Sequence, residues 1–130
     1  MSYFADLTPY AYDISEPSVL CVGWLGRGQP YPQGKTPKSF RDALHQLVER
    51  PILLHRGHHV CEFCKTEDLP RMYFARIGNG QIRVQGQDGV WYAAPTMIYH
   101  YVEAHAYQPP SAFIAAVQNP MTVQTTDDAL

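Results

Sequence analysis

The chain has 130 residues, a formal net charge of −2 and a charged fraction of 17%. This length is typical of one compact domain with a single core. Its lysines and arginines are scattered, which argues against the concentrated basic face that binding to a nucleic acid requires. The sequence contains neither the run of about 20 apolar residues that crosses a bilayer nor a signal peptide at its start. We therefore expect a cytoplasmic protein.

The first part of the chain predicts an arm, a strand, a loop and a helix. Residues 1–17 mix aromatic, proline and acidic residues without a period, which indicates an irregular arm packed on the body. Residues 18–25 are an apolar run of strand length, and the Gly/Pro-rich residues 26–34 predict a loop after it. A helix is predicted over 37–50, with Thr36 as its N-cap. The apolar residues that define its buried stripe are Phe40, Ala43, Leu44, Leu47 and Val48.

The middle of the chain reads as a meander of three strands. Residues 72–77, 81–84 and 90–93 are rich in β-branched and aromatic side chains. The segments 78–80 and 87–89 separate them and contain the Gly, Asn and Asp residues that tolerate positive φ in tight turns. Consecutive strands joined by such turns pair in antiparallel fashion.

The remaining elements complete an α+β fold. Residues 52–55 suggest a short strand, residues 95–106 a helix that starts at a proline, and the Pro109–Pro110 pair the start of another short helix. The residues 121–130 have no packing pattern and predict a flexible tail. We therefore expect a single domain over 1–120, with a mainly antiparallel sheet, two to three helices and a zinc knuckle.

The cysteines are the strongest functional signal. Three is an odd number, which does not make the even disulfide framework of a secreted domain. Cys61 and Cys64 are separated by two residues, so a short turn can aim both sulfur atoms at one ion about 2.3 Å away. His100 and His105, with four residues between them, fall within the spacing of paired zinc histidines. These four residues are the predicted ligands of a zinc ion.

Helical geometry favours His105 over His100 as an inward-facing metal ligand. At 100° per residue His105 lies at the centre of the apolar stripe, whereas His100 lies roughly 130° away from it. Both side chains reach one ion only if the ion lies at the helix flank or the last turn is distorted. His59 is the reserve ligand and His58 a weaker one. The residues that define the stripe are Met97, Ile98, Tyr101 and Val102.

Other interpretations of these residues stay open. The cysteine pair is also compatible with a redox or disulfide pair, or with two reduced thiols in the core. Each histidine is also compatible with a hydrogen-bonded core residue. His45 and His55 are most simply surface residues.

Three functions are consistent with such a site. The first is a small protein-binding module, either a regulator or an immunity-type partner, in which the zinc is structural and another protein binds to a surface rich in aromatic residues and prolines. Such residues suit recognition, although they equally suit the packing of an irregular loop. The residues of this surface are Trp24, Tyr31, Pro32, Tyr107, Pro109 and Pro110.

The second function is a small zinc-dependent hydrolase with an open metal position and Glu62 or Glu103 as its base. The nucleoside deaminase signature, His-x-Glu followed by Pro-Cys-x-x-Cys, is absent from the sequence. The third is a nucleic-acid-binding zinc module, which requires the fold to gather several cations on one face. Those cations are Arg56, Lys65, Arg71, Arg76 and Arg83.

Several longer motifs carry a family resemblance. They are the segments 6–10 and 22–25, Pro-Tyr-Pro-Gln-Gly at 30–34, Gly-His-His-Val-Cys-Glu-Phe-Cys at 57–64, the segment 80–84, and the run from Tyr92 that includes His-Tyr-Val-Glu-Ala-His-Ala-Tyr-Gln-Pro-Pro at 100–110. Together they resemble a family of small bacterial proteins of unassigned function, largely actinobacterial, up to about Val117. The layout of knuckle, hairpin and histidine helix is similar to that of zinc-finger and treble-clef modules. The resemblance implies that the knuckle and the histidine helix belong to one module.

Overall fold

The structure, a computed structural model, describes residues 3–9, 19–54, 61–64 and 80–124. Within these residues it contains three helices and five strands. The helices are α1 (Lys38–Val48), α2 (Ile98–His105) and α3 (Ser111–Gln118), and the strands are β1 (Val19–Cys21), β2 (Leu53–Leu54), β3 (Gly80–Gln85), β4 (Trp91–Pro95) and β5 (Thr122–Gln124). The α+β class and the single small domain are confirmed. None of the helices in these ranges is long and apolar enough to cross a membrane.

The central feature of the sheet is an antiparallel hairpin of β3 and β4, with Arg83 opposite Ala93. Its turn is closed by the backbone hydrogen bond from Gly86 to Val90, 3.0 Å long, and contains Gly89 at φ 86°. A positive φ is the conformation that glycine adopts without steric cost, so the turn signal in the sequence has its physical counterpart here. The predicted strand over 72–77 lies outside the described residues.

The edges of the sheet differ from the expectation. Strand β1 is shorter than the predicted 18–25 and pairs with β4 in parallel, so that the sheet is mixed. Strands β2 and β5 both pair antiparallel with the other edge of β3. The prediction of a flexible tail over 121–130 is therefore wrong for Thr122–Gln124, because these residues form β5; the residues after them lie outside the described part of the chain.

Helices α1 and α3 cover one face of the sheet. The buried residues of α1, Phe40, Leu44 and Val48, follow the predicted stripe. Phe40 meets Phe113 of α3 edge-to-face at a centroid distance of 6.2 Å. The opposite face of the sheet carries a smaller cluster around Trp24, whose indole N–H donates to the Ala93 carbonyl over 2.9 Å.

The predicted start of α1 is wrong by one residue and that of α2 by three. Pro37, rather than Thr36, is the N-cap of α1, and Thr36 instead accepts hydrogen bonds from the Arg41 guanidinium. Pro95 is the last residue of β4, opposite Gln81, and α2 begins at Ile98. A proline can end a strand as well as begin a helix, because both positions tolerate its missing N–H.

Candidate metal centre

The knuckle, which consists of residues 61–64, supplies two sulfur atoms, those of Cys61 and Cys64. The backbone N–H of Phe63 donates to Cys61 Sγ over 3.4 Å. A Cys-x-x-Cys turn uses such bonds to hold its first sulfur in place and to balance its charge once it ionises. The Cys61 side chain is buried with 2% of its surface exposed, whereas Cys64 is half-buried.

Helix α2 supplies two imidazoles, His100 from its middle and His105 from its last turn. The N–H of Ala106 bonds to the carbonyl of Tyr101, five residues earlier. The N–H of Tyr107 bonds to the same carbonyl. Ala106 has a φ of 54°, the left-handed conformation that ends many helices. These bonds cap α2 directly after His105, so that His105 is the last residue of the helix.

The four donor atoms converge on one point. Cys64 Sγ lies 3.2 Å from His100 Nε2 and 3.2 Å from His105 Nε2. Cys61 Sγ lies 3.4 Å from His105 Nε2. All four atoms lie within 4.8 Å of one another. In a tetrahedral site with Zn–S of about 2.3 Å and Zn–N of about 2.05 Å, sulfur and nitrogen are about 3.6 Å apart. The cluster therefore fits one tetrahedral metal ion.

The burial of the histidines differs from the helical arithmetic. His100 is 2% exposed, whereas His105 is half-buried. The apolar stripe of α2 identifies only the side that faces the core, whereas His100, off that stripe, contacts Cys64 of the knuckle, with 3.2 Å between Sγ and Nε2. Within the described residues, the ligand set predicted from the sequence is brought together; His58 and His59 lie outside them.

Burial sets the protonation of the donors. It lowers the pKa of His100 to about 4, helped by the neighbouring His105, and it also lowers the pKa of His105. Burial raises the pKa of Cys61 to about 11, against the opposing effect of the Phe63 N–H. At neutral pH the imidazoles are therefore neutral and have a lone pair for a metal, whereas Cys61 keeps its proton. A protonated thiol is a poor nucleophile, which disfavours the redox interpretation.

We expect metal affinity to rise with pH. The metal displaces the proton of Cys61, so at any pH below about 11 this thiol contributes about tenfold in affinity per pH unit. His100 contributes nothing above its pKa of about 4, because it is already neutral. Zinc titrations with a competing chelator, at about pH 6 and about pH 8, measure the slope. An affinity that is equal at the two pH values contradicts proton displacement.

Phe63 and Tyr31 were not predicted to belong to the site. The Phe63 ring lies 5.6 Å from the His105 ring and 5.3 Å from the Tyr31 ring. The Tyr31 hydroxyl donates to the His105 carbonyl over 3.1 Å. An aromatic residue between the two cysteines was the available signal for Phe63, whereas the position of Tyr31 depends on long-range packing.

The described residues of the other functional hypotheses make no hydrogen bond to the four donors. The exposed Glu62 accepts a 2.6 Å hydrogen bond from the Arg27 N–H, and the exposed Glu103 accepts a 2.8 Å bond from the Tyr99 hydroxyl. Arg83 is only 6% exposed, so the predicted basic face cannot include it. The other four cations proposed for that face lie outside the described residues. His45 is exposed, as predicted.

The sequence matches a known family over most of its length. Residues 2–118 match the family described as Domain of unknown function (DUF7919). The chain belongs to this family. The matched range includes all the motifs that carry the family resemblance, which end at about Val117. The knuckle and α2 therefore lie in one DUF7919 domain. Searches of curated proteins and of solved structures found no significant match.

Proposed function

We propose that this DUF7919 domain binds one zinc ion through Cys61, Cys64, His100 and His105, and that the zinc is structural. The observation that carries the proposal is the convergence of four donor atoms within 4.8 Å of one another. The donors come from two segments 36 residues apart, measured from Cys64 to His100. A metal there crosslinks the knuckle to α2.

The donor set favours zinc among the common ions. Two thiolates and two imidazoles are borderline-soft ligands, and their tetrahedral arrangement is the one that structural zinc adopts. Calcium and magnesium prefer oxygen ligands in larger coordination shells. The Cys2His2 set thus argues for zinc on its chemistry as well as its geometry.

The surroundings favour a structural over a hydrolytic role. A hydrolytic site has three protein ligands, a position for water and a base within reach. Here four protein donors are available, and Glu62 and Glu103 are both exposed and hydrogen-bonded to groups outside the cluster. The hydrolase is therefore the weaker proposal.

We further propose that the domain is a cytoplasmic protein-binding module, with a regulator or an immunity-type partner as its role. The fold narrows the surface available for this role. Trp24 and Tyr107, two of the predicted contact residues, are 1% and 0% exposed and belong to the interior. The loop after Trp24 keeps exposed prolines at 30 and 32, which support a recognition role for that loop.

Elemental analysis of the purified protein tests the proposal. We expect one zinc per chain in the natural protein and much less in Cys61→Ser and His105→Ala, because each substitution removes one donor. His45→Ala, which changes an exposed histidine outside the cluster, is the matched control and should keep one zinc. Stoichiometric metal in both ligand variants would refute the site.

X-ray absorption at the zinc edge then separates the two roles of the metal. Two sulfur and two nitrogen neighbours, at about 2.3 and about 2.0 Å, are expected for the structural role. An oxygen neighbour in place of one protein donor would favour the hydrolase instead.

A further inference from the structure

Residues 27–35, called the 27–35 segment below, form an exposed stretch that contacts both the knuckle and the end of α2. Seven of its nine residues are exposed, and the other two, Tyr31 and Gly34, are half-buried. The segment has no helix or strand of its own. Its order therefore depends on the bonds that it makes to other parts of the chain.

Its first attachment is to the knuckle. The N–H of Arg27 donates to Glu62 Oε2 over 2.6 Å, and Glu62 lies between the two cysteine ligands. The Tyr31 ring packs at 5.3 Å on the ring of Phe63, which is the other residue between them. Both residues between the cysteines thus contact the segment.

Its second attachment is to the end of α2. The Tyr31 hydroxyl donates to the carbonyl of His105, and the Gly34 N–H donates to the carbonyl of Ala106 over 2.9 Å. The Gln108 N–H donates to the Pro32 carbonyl over 2.9 Å. The Gln108 side-chain amide also donates to the Lys35 carbonyl over 3.1 Å. These contacts involve His105 and two of the three residues that follow it.

Between its attachments the segment is stiff. Pro30 and Pro32 fix their own φ near −65°. Each proline also restricts the residue before it, Gln29 or Tyr31, to extended conformations. Because the middle of the segment has few conformations, fixing it at its two attachments costs little entropy.

We propose that metal binding controls the order of the 27–35 segment, so that the proposed protein-binding surface is presented only by the metal-loaded domain. This inference rests on the proposed metal site and adds its regulation. The metal joins the knuckle to the end of α2, and the segment spans those same two parts. Without the metal, the two sets of attachment points are no longer held at a fixed separation.

Coupling of this kind is reciprocal. If the metal stabilises the segment, then the segment stabilises the bound metal by the same free energy. A substitution in the segment that leaves all four ligands intact therefore lowers metal affinity.

NMR order parameters of the backbone N–H groups, measured in the zinc-loaded protein and after zinc removal by a chelator at a temperature where both forms stay folded, test the direct effect. Those of Arg27, Gly34 and Gln108 should fall from about 0.85 to below about 0.6 after removal, as expected for a released segment. Those of Gly86 and Thr96, whose N–H groups bond within and beside the β3–β4 hairpin, should stay near about 0.85. Unchanged values in the segment, or an equal fall at all five residues, would overturn the proposal.

Tyr31→Phe tests the reciprocal effect in the folded protein. It keeps the ring and removes the hydrogen bond to the His105 carbonyl, so zinc affinity should fall about three- to tenfold, the effect of one net hydrogen bond. Tyr99→Phe is the matched control, because Tyr99 lies on α2 and its hydroxyl bonds to Glu103. Equal affinity in Tyr31→Phe and Tyr99→Phe contradicts the coupling. A protein that binds no zinc at all contradicts the proposed function as well, so the two failures are distinguishable.

Discussion

Removal of zinc is expected to lower the melting temperature of the domain by about 15 °C. At a free zinc concentration about a thousandfold above the dissociation constant, binding adds about 4 kcal/mol to the free energy of unfolding. For a domain of this size, 1 kcal/mol corresponds to about 4 °C. Calorimetry with zinc and with an excess of chelator measures the difference.

Cys64→Ser should abolish this zinc-dependent difference. Cys64 Sγ lies within 3.2 Å of both imidazoles, so its loss removes the donor closest to the other ligands. Because the residue is half-buried, the substitution leaves the apolar core intact. Cys21→Ala, which changes a buried thiol in β1, is the control and should keep the full zinc-dependent shift. A shift that is equal in Cys64→Ser and in the natural protein contradicts the assignment of Cys64 as a ligand.

Local chemistry was sufficient to predict the hairpin, α1 and the ligand set. Gly89, at the turn of β3 and β4, has a φ of 86°, which glycine adopts without steric cost. The stripe of α1 has a period that only a helix satisfies. The convergence of Cys61, Cys64, His100 and His105 could be predicted because thiols and imidazoles at these spacings are typical of metal sites.

The parallel pairing of β1 with β4 could not be predicted in this way. Its partners, such as Cys21 and Ala93, are far apart in the sequence, and no turn between them fixes their register. Strand β5 was missed for a related reason. Thr122–Gln124 is too short to show the alternating pattern of a strand. These residues form a strand because they pair with β3.

The prediction that His105 rather than His100 faces the interior was wrong for a physical reason that concerns the site itself. The helical stripe identifies the side of α2 that faces the apolar core. The metal cluster lies instead between α2 and the knuckle, whose position the sequence does not specify. His100 is thus buried although it lies off the apolar stripe, and Cys64 of the knuckle lies 3.2 Å from both imidazoles.

Gly23→Ala should destabilise the domain by about 2–5 kcal/mol. Gly23 has a φ of 80°, where a side chain costs about 1–2 kcal/mol. A Cβ at this position would also lie 2.7 Å from Cγ1 and Cδ1 of Ile98 and 3.1 Å from its Cβ. Ile98 is fully buried at the start of α2, so it cannot move aside, and overpacking adds about 1–3 kcal/mol. Urea unfolding of the zinc-loaded protein measures the loss.

Gly28→Ala separates the two contributions. Gly28 has nearly the same conformation, with a φ of 82°, but nothing lies within 4 Å of the Cβ that alanine would add. It should therefore lose only the conformational part, about 1–2 kcal/mol. The excess loss in Gly23→Ala then measures how tightly the chain after β1 is packed on the helix that carries both histidine ligands. Equal losses in the two variants would show that α2 can shift at its first residue, and zinc affinity in Gly23→Ala would then report whether that shift reaches His100.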